Sequence, residues 1–309
     1  MNAAPPVRAY THPGCLAHDT GAGHPECPQR LAMVVETLRR GLPALEWHGA
    51  PRATRGQLLR AHDPALLEQV LDTHPQEPVR LDPDTILSPA SPQAALRAAG
   101  AAVAAVDAVL SGKAKRAFCA VRPPGHHATI AAAMGFCLFN NVAVGALHAL
   151  DAHGLERVAI ADFDVHHGNG TQAIFERDAR VLFASSHQWP FYPGTGAGDE
   201  TGIGNIDNAP LPAGSGSDRF RAAWEQHLLP RIDAFRPQSL LVSAGFDGHR
   251  LDPLAGLQLE TGDYAWITGE LAALADRHCE GRIVSTLEGG YDLQALGESC
   301  LAHVAVLAA

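Results

Sequence analysis

The residues best suited to chemistry lie where a run of apolar residues gives way to acids and histidines. Residues 158–161 are apolar and typical of a buried β-strand, and Asp162, Asp164 and His166 follow at alternate positions. Alternate side chains of an extended chain point to the same side, so these three can converge. Buried together, they would carry a large desolvation cost. A divalent metal is the usual compensation, and oxygen and nitrogen ligands suit zinc or a similar first-row ion.

Three more strand-like runs are followed by polar residues in the same way. They cover residues 118–121, 240–244 and 282–287, and they lead into Arg122 to His127, Gly245 to Asp247 and Glu288 to Tyr291. One such run would indicate only cap or turn residues where a strand ends. Ligands and catalytic groups gather at the carboxyl ends of the strands in an open parallel α/β sheet. Four runs together therefore predict an active site at one sheet edge.

At these motifs the chain resembles the zinc-dependent histone deacetylase family, in particular its class II and bacterial members. The similar segments follow the family's order and cover nearly the whole chain: residues 24–31, 122–128, 135–137, 140–141, 162–172, 245–247 and 288–291. The resemblance implies the arginase–deacetylase fold, an α/β fold with about eight mainly parallel strands and helices on both faces. It also implies a single catalytic domain over residues 1–309.

The order of helix and strand signals indicates the same fold class. Asp63-Pro64 and Ser91-Pro92 each place a cap residue before a proline that can begin a helix. Further helices are predicted over residues 141–152, 218–232 and 263–278. Their alternation with the strands predicts a mainly parallel sheet covered on both faces. The longest segment without a pattern covers residues 186–217, and loops of that length are usually functional.

The resemblance implies that Asp164, His166 and Asp247 bind one catalytic zinc ion. Two carboxylates and one imidazole leave positions for water and substrate, as a catalytic zinc requires. One or two structural potassium ions are implied as well. The first would lie near Asp162, Asp164, His166, Ser185 and Ser186, and the second near carbonyl groups of Phe175, Asp178 and Val181.

The resemblance also implies that the tandem histidines transfer the protons of the reaction. His127 corresponds to the general base that later protonates the leaving amine, and His126 to a group that supports it electrostatically. By position, Asp162 would orient His126 and Asn169 would orient His127. Some relatives carry Asp where Asn169 stands, and an amide stabilises an imidazolium less. How the two histidines divide the proton transfer stays open.

Five residues are expected to contact the substrate. Tyr291 corresponds to a donor to the tetrahedral oxyanion. Phe136 and Tyr192 correspond to the aromatic walls of a narrow channel, although packing in the core is the ordinary interpretation of either ring alone. Leu254 is expected at the channel mouth, and the backbone of Gly290 is expected to line the channel.

Composition and cysteine usage limit the partners and the compartment. The formal net charge of −10 argues against nucleic-acid binding and is compatible with a cationic substrate. The six cysteines form no CxxC pair, which indicates reduced thiols and a reducing compartment. The sequence shows neither a signal-peptide pattern nor an apolar stretch approaching a membrane span. We therefore expect a cytoplasmic protein without membrane or nucleic-acid partners, and its oligomeric state stays open.

These features favour a zinc-dependent deacylase acting on acetyl-lysine or a similar short acyl amine. The alternative within the fold is an acetylpolyamine or other small-molecule amidohydrolase. In the family, Leu254 occupies a position where a polyamine-selective relative carries a glutamate, which favours an acyl-lysine peptide or protein as substrate. Arginase-like chemistry would need a more acidic metal set than residues 162–166 supply. A non-catalytic acyl-lysine-binding module is disfavoured by the presence of His127 and Tyr291.

Overall fold

The computed structural model describes residues 7–309, and an eight-stranded parallel sheet runs through its centre. The strands are β1 (Arg8–Thr11), β2 (Glu46–Gly49), β3 (Val79–Arg80), β4 (Ile86–Leu87), β5 (Arg116–Cys119), β6 (Val158–Asp162), β7 (Val181–Gln188), β8 (Ile206–Leu211), β9 (Ser239–Ala244) and β10 (Ile283–Leu287). The sheet order is β2-β1-β5-β10-β9-β6-β7-β8, while β3 and β4 form a separate antiparallel pair. The predicted α/β fold with about eight mainly parallel strands is confirmed.

Helices cover both faces of the sheet. They are α1 (Pro28–Gly41), α2 (Arg55–Leu58), α3 (Pro64–Leu71), α4 (Ser91–Leu110), α5 (Asn141–Asp151), α6 (Asn169–Phe175), α7 (Ser217–Ala223), α8 (Leu229–Phe235), α9 (Thr261–His278) and α10 (Leu293–Leu307). Helices α4 and α5 pack together against one face, and α1, α9 and α10 pack together on the other. Apolar side chains of both layers and of the strands form one continuous buried core. That residues 1–309 make a single domain stays a prediction.

Two local predictions were wrong. Ser91 is the first residue of α4 and not its cap. A cap side chain accepts from an N–H inside the helix, whereas the hydroxyl of Ser91 accepts from the backbone N–H of Ser88, which precedes the helix. The segment 186–217 is not one long loop, because β7 continues to Gln188 and β8 forms within it. Strand β8 contains Pro210, a residue that breaks a strand pattern and is tolerated at the edge of a sheet, where β8 lies.

Helix α4 contradicts the expectation that no apolar stretch of the chain approaches the length of a membrane span. Its 20 residues are long and apolar enough to cross a bilayer. Most of its residues are buried, however, and it packs against α5, β1, β5 and β10. Its apolar character is therefore accounted for by its place in the core of the fold.

Candidate active site

The four polar motifs meet at one edge of the sheet, as their positions after strands predicted. Strands β5, β10, β9 and β6 are neighbours in that order, and all of them run parallel. Their carboxyl ends therefore point to the same side. The segments that follow these strands bring their acids and histidines together there.

Asp164, His166 and Asp247 form a compact buried cluster. One ligand atom from each lies within 4.8 Å of the others. The Nδ1 atom of His166 is 3.2 Å from Asp164 Oδ1 and 3.1 Å from Asp247 Oδ2. Asp162 does not join this cluster, since β6 ends there and the chain bends, which stops the alternation of an extended strand. Its Oδ2 atom lies instead 3.0 Å from His126 Nδ1.

Backbone groups and two glycines hold the cluster's carboxylates. Asp164 Oδ2 accepts a hydrogen bond from the N–H of Gly289 at 2.8 Å, and Asp247 Oδ1 accepts one from Val165 at 2.9 Å. A Cβ atom on Gly245 or Gly289 would lie 2.0 Å from a carboxylate oxygen of Asp164 or Asp247, respectively. Two converging carboxylates and an imidazole form a donor set that fits a divalent metal ion.

Each of the tandem histidines is bonded to the partner predicted for it by position. His126 Nδ1 lies 3.0 Å from the carboxylate of Asp162, and His127 Nδ1 lies 2.7 Å from the side-chain oxygen of Asn169. The two imidazole centroids are 4.1 Å apart. Because an amide oxygen only accepts hydrogen bonds, His127 donates from Nδ1 and its Nε2 atom carries the free lone pair.

The surroundings separate the proton affinities of these two rings. Burial lowers the pKa of His126, but the carboxylates of Asp164 and Asp162 outweigh it and raise that pKa to about 10. Burial and the nearby His126 and His166 hold the pKa of His127 well below its usual range. His127 is therefore neutral near pH 7 and able to accept a proton, whereas His126 favours its charged form.

Glu288 is a functional side chain whose role the sequence did not reveal. Its carboxylate accepts hydrogen bonds from the N–H groups of Gly125 at 2.6 Å and His126 at 3.1 Å, and from Ser243 Oγ at 3.2 Å. Burial raises its pKa to about 7. Glu288 thus holds the loop that carries both histidines. The sequence identified Glu288 as part of the motif 288–291, because two glycines follow it. No sequence pattern near Glu288 indicated its contact with the histidine loop, which lies about 160 residues earlier in the chain.

A cavity of about 250 Å³ opens beside the metal cluster and the histidines. The ring of Tyr192 lies 5.2 Å from that of His127, and the ring of Phe136 lies 5.9 Å from that of Tyr291. These predicted substrate contacts therefore line one space. The lining consists of Asp84, His127, Gly135, Phe136, His166, Phe191, Tyr192, Leu254 and Tyr291.

Three of these lining residues were not predicted as site residues, and one of them, Gly135, lies within the segment 135–137 that carries the family resemblance. The ring of Phe191 stacks on His166 with 5.3 Å between centroids. Asp84 places a carboxylate at the cavity, and burial together with the neighbouring Asp82 raises its pKa to about 6. Asp84 lies in the turn of Asp and Pro residues between the two-residue strands β3 and β4, and no apolar run precedes it, so no local pattern indicated a site. Phe191 is adjacent to Tyr192 but carries no polar group that would mark it.

The loop of Tyr291 is held from two sides. Its N–H donates to Asp252 Oδ2 at 2.7 Å, and the other carboxylate oxygen of Asp252 accepts from the N–H of Leu254 at 3.0 Å. The guanidinium of Arg30 lies 4.7 Å from the centre of the Tyr291 ring. The carbonyl of Gly290 accepts from Arg30 Nε at 2.5 Å. Among residues 7–309, those that line the cavity do not include Gly290, and the contact observed for its carbonyl is the one with Arg30.

A second charged cluster lies beside this loop. Glu26 accepts hydrogen bonds from Nε and Nη2 of Arg122 at 2.5 and 2.6 Å, and from Arg30 Nη1 at 2.9 Å. All three side chains are fully buried. Burial would raise the pKa of Glu26, but Arg122 and Arg30 lower it to about 2.

The residues predicted to bind a second potassium ion do not fit one. The carbonyl oxygens of Phe175, Asp178 and Val181 do converge. All three accept hydrogen bonds from the side-chain amide of Asn205, which lies among them. The amide nitrogen of Asn205 therefore occupies the place between these oxygens where a cation would bind.

Comparison with known proteins agrees with the fold and identifies the family. The family model of the histone deacetylase domain matches residues 24–307. The chain therefore belongs to the histone deacetylase family.

Individual relatives show the same family. A histone deacetylase-like amidohydrolase of Pseudomonas aeruginosa is 42% identical over 287 residues, covering 90% of this chain and 75% of the relative. The human polyamine deacetylase HDAC10 is 39% identical over 305 residues, covering 92% of this chain and 45% of the relative. The solved HDA15 HD domain superposes with a TM-score of 0.93 at 36% identity, covering 99% of this chain and 88% of that one. The protein is thus an enzyme of the deacetylase and amidohydrolase type, with a deacylase activity.

Proposed function

We propose that this protein is a zinc-dependent deacylase that hydrolyses the acetyl-lysine amide of peptides or proteins. The observation that carries the proposal is the common cavity of His127, His166, Phe136, Tyr192 and Tyr291. A buried set of metal donors, a neutral histidine and a tyrosine hydroxyl at one narrow space are the groups that amide hydrolysis needs.

Asp164, His166 and Asp247 would hold the zinc ion. When bound, it would polarise the amide carbonyl and lower the pKa of a water molecule. The chain itself supplies the geometry for this, because the backbone N–H groups that hold the carboxylates fix their orientation. Such contacts behind a ligand tune its affinity for the metal.

His127 is the group that moves the proton. Its Nδ1 atom is committed to Asn169, so Nε2 accepts a proton from the attacking water. After the water oxygen bonds to the carbonyl carbon, the C–N bond breaks and the proton passes to the leaving amine. The products are a carboxylate and a free amine. His126, paired with Asp162, supplies positive charge beside this transfer.

Tyr291 stabilises the oxyanion that forms on the carbonyl oxygen. Burial holds the pKa of Tyr291 well above its usual value, so its hydroxyl stays protonated and remains a donor near neutral pH. Its ring is fixed by Arg30 and its backbone by Asp252, so the donor is oriented before the substrate binds. Preorganised donors of this kind lower the barrier of acyl transfer.

One structural potassium ion belongs to the same proposal. Asp162 and Ser185 are paired neighbours on β6 and β7, and both are fully buried. Ser186 follows on β7, and Asp164 and His166 follow β6 in the chain. A cation beside these residues would compensate buried acidic charge next to the zinc site.

The cavity suits the acetyl-lysine side chain. The rings of Phe136 and Tyr192 offer apolar contact to an aliphatic stem, and Leu254 adds an apolar side chain to the lining. An acetylated polyamine is the second candidate, favoured by the carboxylate of Asp84 at the cavity and by the net charge of −10. Leu254 offers nothing to a distal ammonium group, which favours the lysine peptide.

Rates with the two substrate classes test this choice. We expect a higher kcat/KM for acetyl-lysine peptides than for N8-acetylspermidine. Leu254→Glu should shift that ratio toward the polyamine by about fivefold, since one ion pair at a rim contributes about 1 kcal/mol. A preference of the unmutated protein for the polyamine would overturn the substrate assignment but not the deacylase activity.

A further inference from the structure

Three backbone carbonyl oxygens converge where α6 ends and β7 begins. They belong to Phe175, the last residue of α6, to Asp178 in the turn and to Val181, the first residue of β7. The last carbonyls of a helix lack partners within it and form its negative end. The carbonyls of Phe175 and Asp178 each accept one backbone hydrogen bond, from the N–H groups of Asp178 and Val181. The remaining lone pairs of the three oxygens still face one another, and a further hydrogen-bond donor or a cation between them would stabilise that arrangement.

The side chain of Asn205 supplies that donor. Its Nδ2 atom lies 2.7 Å from the oxygen of Phe175, 3.0 Å from that of Asp178 and 2.9 Å from that of Val181. Asn205 is buried, with 6% of its surface exposed, and it directly precedes β8.

The orientation of this amide follows from its contacts. The side-chain oxygen of Asn205 accepts from the N–H of Ile203 at 3.3 Å. A reversed amide would turn that oxygen toward the three carbonyl oxygens and would place the NH2 group against the N–H of Ile203. The backbone carbonyl of Asn205 is also committed, since it accepts from the N–H of Phe183 at 2.9 Å.

We propose that Asn205 takes the place of the second structural cation, so that the α6–β7 junction needs no ion. The amide nitrogen contacts the same three oxygens that a cation would use, and both cannot occupy the space between them. The other side of the amide is closed as well. A Cβ on Gly202 would lie 2.7 Å from the carbonyl of Glu176 and 2.8 Å from the side-chain oxygen of Asn205.

The replacement of a cation by Asn205 matters for the active site because α6 includes Asn169, the partner of His127. The first residue of the helix is Asn169, which orients His127, and its last residue is held by Asn205. Asn205 also connects α6 to the edge strand β8. The position of the helix is therefore fixed by the sequence and not by the potassium concentration. This inference does not depend on the proposed substrate.

Heavy alkali ions locate cation sites directly. Crystals of the unmutated protein grown in rubidium chloride should show no anomalous peak among the three carbonyl oxygens. Asn205→Ala removes the donor and opens space, so a peak should appear there. A rubidium peak among these oxygens in the unmutated protein would overturn the proposal.

Thermal unfolding in potassium chloride and in choline chloride of equal ionic strength gives a second test. Asn205→Asp keeps the size of the side chain but places a carboxylate among the carbonyls, so a cation becomes necessary. We expect its Tm to rise in potassium by about 2–4 °C more than that of the unmutated protein.

Asn208→Ala is the matched control. It removes a second buried asparagine, which lies within β8 and whose amide donates to the side chain of Gln172 and to the carbonyl of Glu200, not to these three carbonyls. Its response to potassium should equal that of the unmutated protein. An Asn205→Asp response equal to that of the control would contradict the replacement of a cation by Asn205.

Discussion

Two buried charged clusters lie near each other in this protein, and they differ in how their charge is compensated. Glu26 is bonded by two guanidinium groups, those of Arg30 and Arg122, and both arginines also donate to buried backbone carbonyls, so every charged group of this cluster has its partners within the chain. The cluster of Asp164, His166 and Asp247 places two carboxylates against a single imidazole. The first cluster holds the structure, whereas the second leaves negative charge that a metal ion would compensate.

The two clusters meet at the loop that carries the reactive tyrosine. Arg30 bonds Glu26, and it also donates to the carbonyls of Glu288 and Gly290. Its guanidinium lies against the ring of Tyr291. The self-compensated cluster therefore positions a residue that the metal cluster would use in the reaction.

The largest effect should follow from removing a ligand of the uncompensated cluster. We expect Asp247→Ala to lose bound metal and to lower kcat by several powers of ten, since two protein ligands rarely hold a catalytic ion. Metal content and turnover of the purified variant measure this. One equivalent of metal together with ordinary turnover would show that Asp247 is not a ligand.

Removing a partner from the compensated cluster should affect stability instead. Arg122→Met removes two charge-assisted hydrogen bonds from the buried Glu26 and the donors to the buried carbonyls of Cys15 and His18, so we expect the free energy of unfolding to fall by about 3–5 kcal/mol. The exposed pair of Arg277 and Asp233 offers the control, and Arg277→Met should change stability by less than about 1 kcal/mol. Urea denaturation compares the two variants. Equal losses would mean that burial does not distinguish these ion pairs.

Tyr291→Phe tests the residue between the clusters. The ring stays against Arg30 while the hydroxyl is lost, so kcat should fall by about 10²–10³ with little change in KM. Tyr192→Phe removes a hydroxyl from the cavity wall and should leave kcat within a few-fold. Steady-state kinetics of both variants measure kcat and KM. If Tyr291→Phe kept the full rate, the role of Tyr291 would be limited to packing of its ring.

The compensated cluster also predicts a dependence of stability on pH. The two arginines lower the pKa of Glu26 from 4.5 to about 2. The unfolded chain therefore binds a proton before the folded one does, so this stability is present above pH 4.5 and is lost as the pH falls toward 2. At about 1.4 kcal/mol per unit, the loss amounts to roughly 3 kcal/mol. Glu26→Gln should flatten the fall of unfolding free energy over this range, and an unchanged slope would exclude Glu26 as its source.

Much of the site was predictable because its residues follow strands directly. The apolar run 158–161 and its three counterparts indicated parallel strands, and parallel strands bring their carboxyl ends to one edge. Family resemblance then paired His126 with Asp162 and His127 with Asn169, as the distances show.

The remaining features depend on contacts between distant segments. Glu288 reaches back to the histidine loop, Asp84 enters the cavity from a turn, and Asn205 fills a place where a cation was expected. Strand β8 carries a proline and lies at the sheet edge, so its pattern was not strand-like. Only the packed fold brings these residues to their partners.

Removal and return of the metal test the central claim most directly. Turnover of an acetyl-lysine peptide should disappear after treatment with a chelator and return when one equivalent of zinc is added. Under the same treatment Arg122→Met, whose change lies in the compensated cluster, should regain activity in parallel. Full turnover in metal-free protein would contradict the assignment of the uncompensated cluster as the catalytic metal site.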